Sequence, residues 1–162
     1  MSKADRLEPD AFEILRTGGV GVLLRRPRFD LSVLGRRGQS LLQEAISRRD
    51  TEGALKLIEA GVDLDNQDSD GRTALHYAAI FANLRVAEQI CLSGGNPNRV
   101  DRHGNNALWS ACIEDHEPYA MVKLLVRYGA DPDQVNKVGR SPVGFAKLTG
   151  NELLAAALEP VA

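Results

Sequence analysis

Cysteine is scarce in this chain of 162 residues, which contains two. Cys91 and Cys112 are too few for a disulfide framework, and no metal-ligand spacing surrounds them. Both fall in predicted helical stretches, so we interpret them as buried free thiols in a protein of a reducing compartment. The sequence therefore predicts no structural disulfide, no metal site and no cofactor.

Long hydrophobic runs are missing as well. A membrane-spanning helix needs about 20 consecutive apolar residues, and the short apolar run at 19–24 lies between Arg16 and Arg25. The first ten residues are polar and lack the apolar core of a secretory signal. We therefore predict a cytoplasmic protein that does not bind a membrane.

Neither sign of charge dominates the chain, and aromatic residues are few. The net charge is −2 at pH 7, so no overall electrostatic argument favours nucleic acid or an acidic surface as a partner. Aromatic residues make up 5% of the chain, whereas hydrophobic residues make up 43%. This composition suits a core of helices packed through aliphatic side chains.

Repetition is the main feature that the sequence does contain. Gly38, Gly71 and Gly104 are spaced 33 residues apart, and Gly139 follows after 35. A side chain able to cap a helix follows each glycine by two residues: Ser40, Thr73, Asn106 and Ser141. An alanine follows each of these glycines by seven residues: Ala45, Ala78, Ala111 and Ala146. Each glycine therefore predicts a turn, and each capping residue predicts that the first helix of a pair begins directly after it.

A second series of glycines closes the copies. Gly61, Gly94 and Gly129 each follow an apolar helical stretch, where a left-handed residue commonly ends a helix. Both glycine series lengthen by two residues in the third copy, so an insertion lies near 114–119. Several marks that keep one register indicate a true internal repeat.

The stretch Gly71-Arg-Thr-Ala-Leu-His-Tyr-Ala-Ala79 resembles the Gly-x-Thr-Pro-Leu-His-x-Ala-Ala signature of the ankyrin repeat family. The stretch 124–133, Leu-Leu-Val-Arg-Tyr-Gly-Ala-Asp-Pro-Asp, resembles the closing motif of the same family. The resemblance implies an all-α solenoid of stacked helix-turn-helix units with β-turn fingers between them. It covers 35–158, which divides into 35–67, 68–100, 101–135 and a closing copy at 136–158 within a repeat domain of 35–162.

Residues 1–34 have a weaker pattern. Apolar residues predict short helices at 9–17 and 20–26, and Asp30-Leu31 lies 33 residues before Asp63-Leu64. The segment is therefore either a terminal cap or a degenerate fifth copy. It is also rich in arginine, which favours either a solvated cap or a basic patch for an acidic partner.

Two departures from the family pattern affect local structure. Ala82-Asn83 stands where the family usually has Gly-His, and Asn106 and Trp109 replace the threonine and histidine of the third copy. The Thr–His side-chain bond that the resemblance implies for Thr73 and His76 is therefore unavailable in that copy. Trp109 itself is either part of an interface or part of the core.

Catalysis is not predicted. His76 is accounted for by the repeat signature, while His103 and His116 fall at a finger tip and in the insertion. His103 could form an acid–base pair with Asp101 or Asp115, and the insertion could carry a site, but no nucleophile or phosphate-binding loop accompanies them. We therefore predict that the chain is not an enzyme.

The resemblance places partner binding on a concave face made by the finger tips and the late positions of each first helix. The predicted binding residues are Arg36, Arg37, Ser69, Asp70, Arg72, Ile80, Phe81, Arg102, His103, Asn105, Trp109, Ile113, Glu114 and Lys137. Related positions in the other copies are Gln39, Ser47, Arg48, Val138, Arg140, Leu148 and Thr149. Ile80 and Phe81 are two adjacent large apolar side chains at usually exposed positions, so we expect them at the centre of the interface.

The predicted function is therefore binding of another protein through the concave face. A narrower form of this hypothesis is an inhibitor or immunity protein that blocks a toxin or an enzyme. The alternative is a binder of nucleic acid or another acidic ligand through the arginine-rich N-terminal segment.

Overall fold

The computed structural model describes residues 11–25, 30–114 and 119–159, and these residues form α-helices joined by turns. The helices are α1 Ala11–Gly18, α2 Val20–Leu24, α3 Leu41–Ser47, α4 Thr51–Glu59, α5 Ala74–Ile80, α6 Leu84–Leu92, α7 Ala107–Glu114, α8 Ala120–Arg127, α9 Pro142–Thr149 and α10 Glu152–Ala157. The all-α prediction is confirmed. The predicted first two helices are present, although residues 9, 10 and 26 lie outside the described part.

Each helix packs against its partner in the pair, and α1 to α9 also pack against their counterparts in the neighbouring pair. The inner layer runs α1, α3, α5, α7 and α9, and the outer layer runs α2, α4, α6 and α8 with α10 paired to α9. The alanines that recur at one offset are at most 1% exposed: Ala45, Ala78, Ala111 and Ala146. These small side chains allow neighbouring helices to approach closely, and buried leucine, isoleucine and valine fill the space between the layers.

The N-terminal pair α1–α2 stacks on α3–α4 as the later pairs stack on one another. Asp30 Oδ1 accepts a hydrogen bond from the Ser32 N–H at 2.9 Å, and Asp63 accepts the same bond from the Asp65 N–H at 2.9 Å. Whether 1–34 is a terminal cap or a degenerate copy stays a prediction, since residues 1–10 and 26–29 lie outside the described part. The copy boundaries themselves stay predictions.

Side-chain caps fix where the inner helices begin. The predicted capping box of Ser40 and Gln43 is present, since each side chain accepts the backbone N–H of the other residue. Asn106 Oδ1 accepts the Trp109 N–H at 3.0 Å, and Ser141 Oγ accepts the Gly144 N–H at 3.1 Å. The α7–α8 pair therefore keeps a capped turn although asparagine and tryptophan replace the Thr–His pair there.

The outer helices begin after a residue in the left-handed region. Arg49 has φ 60° and Ala82 has φ 52°, and Gly150 has φ 64° at the corresponding place. The next residue caps the outer helix in each case, through Asp50, Asn83 and Asn151. Asn83 also donates to Thr51 Oγ1 at 2.8 Å, which ties two neighbouring outer helices together.

Neither cysteine forms a disulfide in the fold. Cys112 is buried on α7, as predicted, whereas Cys91 on α6 is only partly buried. Burial, together with the nearby Glu88 carboxylate, raises the pKa of the Cys91 thiol to about 11. Cys91 is therefore protonated at neutral pH and a poor nucleophile.

Candidate protein-binding face

The finger between α4 and α5 is a β-turn that its own side chain holds in shape. The Gly71 N–H donates to the Asp68 carbonyl at 2.9 Å, and the Asp68 N–H donates to the Arg72 carbonyl at 3.0 Å. Asp68 Oδ1 accepts the N–H groups of Asp70 and Arg72. A turn closed at both its backbone and its side chain presents its tip in one fixed orientation.

The other fingers share this pattern. Gly38, Gly104 and Gly139 donate to the carbonyls three residues earlier at 2.9 to 3.0 Å. Asp101 and Asn136 cap their own turns as Asp68 does. Four fingers of one geometry therefore stand side by side along the stack, as the repeat period predicts.

One backbone hydrogen bond links each finger to the next. The Ser69 N–H donates to the Arg37 carbonyl at 2.7 Å, the Arg102 N–H donates to the Asp70 carbonyl at 2.9 Å, and the Lys137 N–H donates to the His103 carbonyl at 2.9 Å. The fingers come so close that a Cβ atom on Gly71 would lie 2.8 Å from the Arg102 nitrogen. Gly71 thus allows both a positive φ of 75° and the approach of its neighbour.

Charged side chains reinforce the row of fingers. Asp70 lies between two arginines, with Oδ2 2.9 Å from Arg37 Nη2 and Oδ1 2.7 Å from Arg102 Nη1. The Asp70 side chain is 13% exposed, whereas those of Arg37 and Arg102 are 71% and 59% exposed. The two guanidinium groups therefore keep most of their donors facing solvent.

A buried histidine ties the inner helix α5 to the finger of the next copy. His76 Nδ1 accepts the Thr73 N–H at 3.1 Å and lies 2.9 Å from Thr73 Oγ1, while Nε2 lies 3.0 Å from the Asn105 carbonyl. The bond from the Thr73 N–H requires a lone pair on Nδ1, so Nε2 carries the proton and donates to Asn105. Burial lowers the pKa of His76 below its ordinary value of 6.5, which keeps the ring neutral. The predicted Thr–His bond is confirmed.

Gln43 makes the same connection one copy earlier. Its Oε1 accepts the Ser40 N–H at 2.6 Å, and its Nε2 donates to the Arg72 carbonyl at 2.6 Å. Like His76, Gln43 is fully buried and provides one acceptor for its own helix cap and one donor for the next finger. In this copy, glutamine therefore makes the connection that histidine makes in the next copy, and its side chain does not ionise.

The inner helices present one side to the space under the fingers. Tyr77 of α5 donates its hydroxyl to Asp68 Oδ2 at 2.8 Å, which places Tyr77 directly beneath the second finger. Residues three and four positions along a helix share a face, so Ile80 and Phe81 follow Tyr77 on this side. We call the surface formed by the finger tips and these inner-helix positions the concave face.

An apolar row crosses the concave face at the position of Ile80. The corresponding residues of α7 and α9 are Ile113, which is 51% exposed, and Leu148, which is 69% exposed. Ile80 is partly buried. Large apolar side chains this exposed, in register on neighbouring helices, are typical of a surface that another molecule covers.

Phe81 lies at the end of α5 and is partly covered. Its ring stacks with Tyr77 at a centroid distance of 6.4 Å, and the Arg49 guanidinium carbon lies 5.7 Å from the ring centroid. The ring also packs against the buried core, so only part of it is available to a partner. The sequence does not predict this cover because Arg49 belongs to the preceding copy.

The family assignment follows from the repeated pairs, the fingers and a comparison with known proteins. The family model for ankyrin repeats (3 copies) matches residues 15–101 and 42–136. The chain belongs to the ankyrin repeat family. The match covers most of the chain and confirms the resemblance seen in the motifs.

Several curated proteins are similar to this chain. A putative ankyrin repeat-containing protein of Treponema pallidum (strain Nichols) is 33% identical over 78% of this chain and 42% of its own length. The probable 26S proteasome regulatory subunit p28 of Saccharomyces cerevisiae is 32% identical over 68% of this chain and 48% of its own length. The E3 ubiquitin-protein ligase Ufd4 of Drosophila melanogaster is 30% identical over 78% of this chain and 4% of its own length. The chain thus spans less than half the length of these relatives.

Most of the predicted binding residues lie on the concave face of the ankyrin stack. The finger tips carry Arg36, Arg37, Ser69, Asp70, Arg72, Arg102, His103 and Lys137, and the inner-helix side carries Ile80, Phe81, Ile113 and the exposed Glu114. His103 Nε2 accepts from Arg102 Nε at 3.1 Å. Tyr77 and Phe145, which sequence reasoning did not select, occupy the same side of α5 and α9 and could have been found from the helical i, i+3 spacing.

Two of the predicted residues have structural contacts of their own. Asn105 is partly buried, and its Oδ1 accepts from Asn136 Nδ2 at 2.8 Å while its carbonyl faces His76. The Trp109 ring lies 5.7 Å from the Phe145 ring and is partly buried between α7 and α9. Where α3 and α5 bond to the next finger through Gln43 and His76, α7 instead makes an aromatic contact with α9 through Trp109.

The part of the chain that the structure describes has neither a candidate metal site nor a candidate membrane span. No group of three or more His, Cys, Asp or Glu side chains there could hold a metal ion. In the same residues, no helix has the length and apolar character needed to cross a bilayer. His116 lies outside the described residues.

Proposed function

We propose that this chain binds a partner protein through the concave face. Ankyrin repeats in general mediate protein–protein interaction, and this chain is built from ankyrin repeats. The observation that carries the proposal for this face is the row of Ile113 and Leu148, which are exposed on inner helices beside a row of rigid fingers. Burial of such side chains drives association, and the arginines at the rim add directed hydrogen bonds.

A narrower form of the proposal is that binding inhibits the partner, as an immunity protein inhibits a toxin. A rigid face that combines apolar groups with arginine donors can cover an active site without chemistry of its own. This form keeps the sequence prediction that the chain is not an enzyme, and the cytoplasmic location also stays a prediction. Inhibition is tested by assaying whichever partner the experiment below identifies.

Affinity capture with matched variants tests the proposal. The tagged wild-type chain, a double variant Ile113→Asn/Leu148→Asn, and Leu92→Asn are compared against the same lysate by quantitative mass spectrometry. Leu92 is 64% exposed on the outer helix α6 and controls for the loss of an exposed leucine. We expect a protein that the wild type and Leu92→Asn retain and that the double variant loses. Equal retention by all three chains would place binding elsewhere.

Phe81 provides a second test once that protein is known. We expect Phe81→Ala to weaken binding by about 2 kcal/mol, because part of the ring faces the concave side. The free energy of unfolding should fall by less than the ~3–5 kcal/mol that truncating a core phenylalanine costs. Phe12→Ala, at a residue 6% exposed, supplies the core reference. A Phe81→Ala variant that unfolds like Phe12→Ala yet binds normally when folded would make Phe81 a core residue.

A further inference from the structure

The finger tips form a basic edge along one side of the concave face. Arginine or lysine stands at the tip of every finger: Arg36 and Arg37, Arg72, Arg102, and Lys137 with Arg140. Among the described residues, no ion pair engages the side chains of Arg36, Arg72, Lys137 or Arg140. Arg36, Lys137 and Arg140 are exposed and Arg72 is partly buried, and none of the four has a fixed anionic partner within the part of the chain that the structure describes.

The acidic residues of this edge are already engaged. Asp70 is held between Arg37 and Arg102, and Asp68 and Asp101 accept backbone and side-chain hydrogen bonds within their own turns. The whole chain has a net charge of −2, so the excess of positive charge along the fingers is local. A local field of one sign selects a partner of the opposite sign and raises its rate of association.

The apolar row runs beside this basic edge. Ile80, Ile113 and Leu148 occupy one position on three successive inner helices, while Arg72, Arg140 and Lys137 belong to the fingers above them. At the N-terminal end, a pocket of about 500 Å³ is lined by apolar Phe12 and Leu34, by the basic residues Arg16, Arg36 and Arg37, and by one carboxylate, Glu44 of α3. Basic and apolar groups therefore face the same groove along its length.

From this arrangement we infer that the partner segment on the concave face is an acidic polypeptide that alternates carboxylate and apolar side chains. The inference rests on the proposed function and names the chemical class of its partner. Carboxylates match the planar donors of the free arginines, and apolar side chains cover Ile113 and Leu148. In an extended segment, successive side chains point to opposite sides, so one side meets the fingers and the other meets the inner helices.

Nucleic acid shares the negative charge but does not fit the apolar row. Phosphate groups match arginine as carboxylates do, but duplex binding derives its affinity from phosphate contacts and counterion release. A row of isoleucine and leucine offers a phosphate backbone no hydrogen bond. The polypeptide is therefore the occupant that uses both halves of the groove.

A synthetic peptide tests the inference directly. Neighbouring helices pack about 8–10 Å apart, so three steps along the fingers span roughly 30 Å, which about ten extended residues cover. The probe is a fluorescein-labelled peptide of about twelve residues with glutamate at every second position and leucine and serine between. Its control carries glutamine in place of glutamate. We expect the glutamate peptide to bind the full chain roughly tenfold more tightly, measured by fluorescence anisotropy near physiological salt.

Matched variants locate the binding. The triple variant Arg72→Gln/Lys137→Gln/Arg140→Gln should weaken the glutamate peptide about tenfold, whereas Arg99→Gln/Lys123→Gln/Arg127→Gln removes equal charge elsewhere and should change little. All six side chains lie at the surface or are only partly buried, so the thermal stability should stay near that of the wild type. Leu148→Asn should also weaken the peptide, by about threefold. A charge-matched control that weakens binding as much as the finger variant would overturn the inference.

A short DNA duplex is the competing probe. Binding of the duplex as tight as that of the glutamate peptide, unaffected by Leu148→Asn, would assign the edge to nucleic acid and overturn the inference. Equal binding of the glutamate and glutamine peptides would also overturn it. In lysate capture, loss of the partner with Ile113→Asn/Leu148→Asn but not with the triple finger variant would leave the proposed function standing and remove only this inference.

Discussion

At the scale of single residues, His76 and Gln43 perform one task with different chemistry. Each accepts its own helix-cap N–H and contacts the carbonyl of the next finger, and both side chains are buried. Imidazole becomes charged near neutral pH, whereas an amide does not. Protonation of His76 would place a hydrogen on Nδ1, which would break the buried contact with the Thr73 N–H at the start of α5 and leave the bond from Nε2 to the Asn105 carbonyl in place.

The stability of the chain should depend on pH through His76. Burial lowers its pKa in the folded state below the ordinary 6.5, so the unfolded chain takes up a proton first as the pH falls. The stabilisation is complete above about pH 6.5 and is lost below it, by up to ~1.4 kcal/mol per pH unit. Denaturant unfolding at pH 7.5 and 5.5 measures the loss.

His76→Gln is the matched variant because Gln43 already shows that an amide fits this environment. We expect the variant to stay folded and to lose less stability than the wild type between those two pH values. The exposed His103 and every carboxylate are common to both chains, so their contributions cancel in the comparison. Identical pH profiles would show that His76 does not control this dependence.

Glycines in the fingers should differ in how much they tolerate a side chain. Gly71 and Gly139 have almost the same φ, 75° and 76°, but a Cβ on Gly71 would meet Arg102 whereas a Cβ on Gly139 meets nothing within 4 Å. We expect Gly139→Ala to lose about 1 kcal/mol from left-handed strain alone. Gly71→Ala should lose at least ~1 kcal/mol more, because the neighbouring finger must move. If chemical denaturation showed equal losses in the free energy of unfolding for the two variants, the close approach of Arg102 to Gly71 would not affect stability.

At the scale of helices and turns, the sequence period predicts much of the fold. It gives the helix pairs, the caps at Ser40 and Ser141 and the turn glycines, because each depends on residues close together in the chain. The cover over Phe81 could not be predicted in this way, since Arg49 comes from another copy. The burial of Cys112 compared with Cys91, and the exposure of Leu148 compared with Ile80, likewise depend on which neighbour stacks on each helix.

The turn from α5 to α6 contains backbone strain that a substitution can remove. Ala82 has φ 52° and is exposed, in a position where Gly150 stands between α9 and α10. We expect Ala82→Gly to raise the free energy of unfolding by about 1 kcal/mol, since glycine adopts this conformation without the Cβ clash. Thermal and denaturant unfolding measure the gain.

Arg49→Gly is the companion variant at the equivalent turn. It relieves the same kind of strain at φ 60° but removes the guanidinium that lies over Phe81. We therefore expect little or no net gain there. Stabilisation of the same size in both variants would show that the arginine contributes nothing to the cover of Phe81.

At the scale of the whole molecule, the last helix pair protects the rest of the stack. Asn151 of the α9–α10 connection donates to the Tyr119 hydroxyl at 2.6 Å, and Tyr119 and Ala130 are buried in the full structure. We expect a chain that ends at residue 135 to self-associate, because it exposes the apolar side of α7 and α8. Sedimentation at several concentrations tests this, with a chain ending at residue 159 as the control. A monomeric, cooperatively unfolding fragment 1–135 would contradict the protective role.

The row of fingers also affects how the stack of repeats can bend when a partner binds. Each finger is joined to the next by one backbone hydrogen bond, whereas the helices beneath share broad packed surfaces. Side-chain bonds, such as those of Asp70 with Arg37 and Arg102, add to each junction, but these few contacts are narrower than the packed helix surfaces, so the finger junctions should deform before the helix layers do. Small rotations summed over the row would open or tighten the curvature of the groove while each finger kept its shape. We therefore expect the width of the groove to adjust to the size of the bound partner segment.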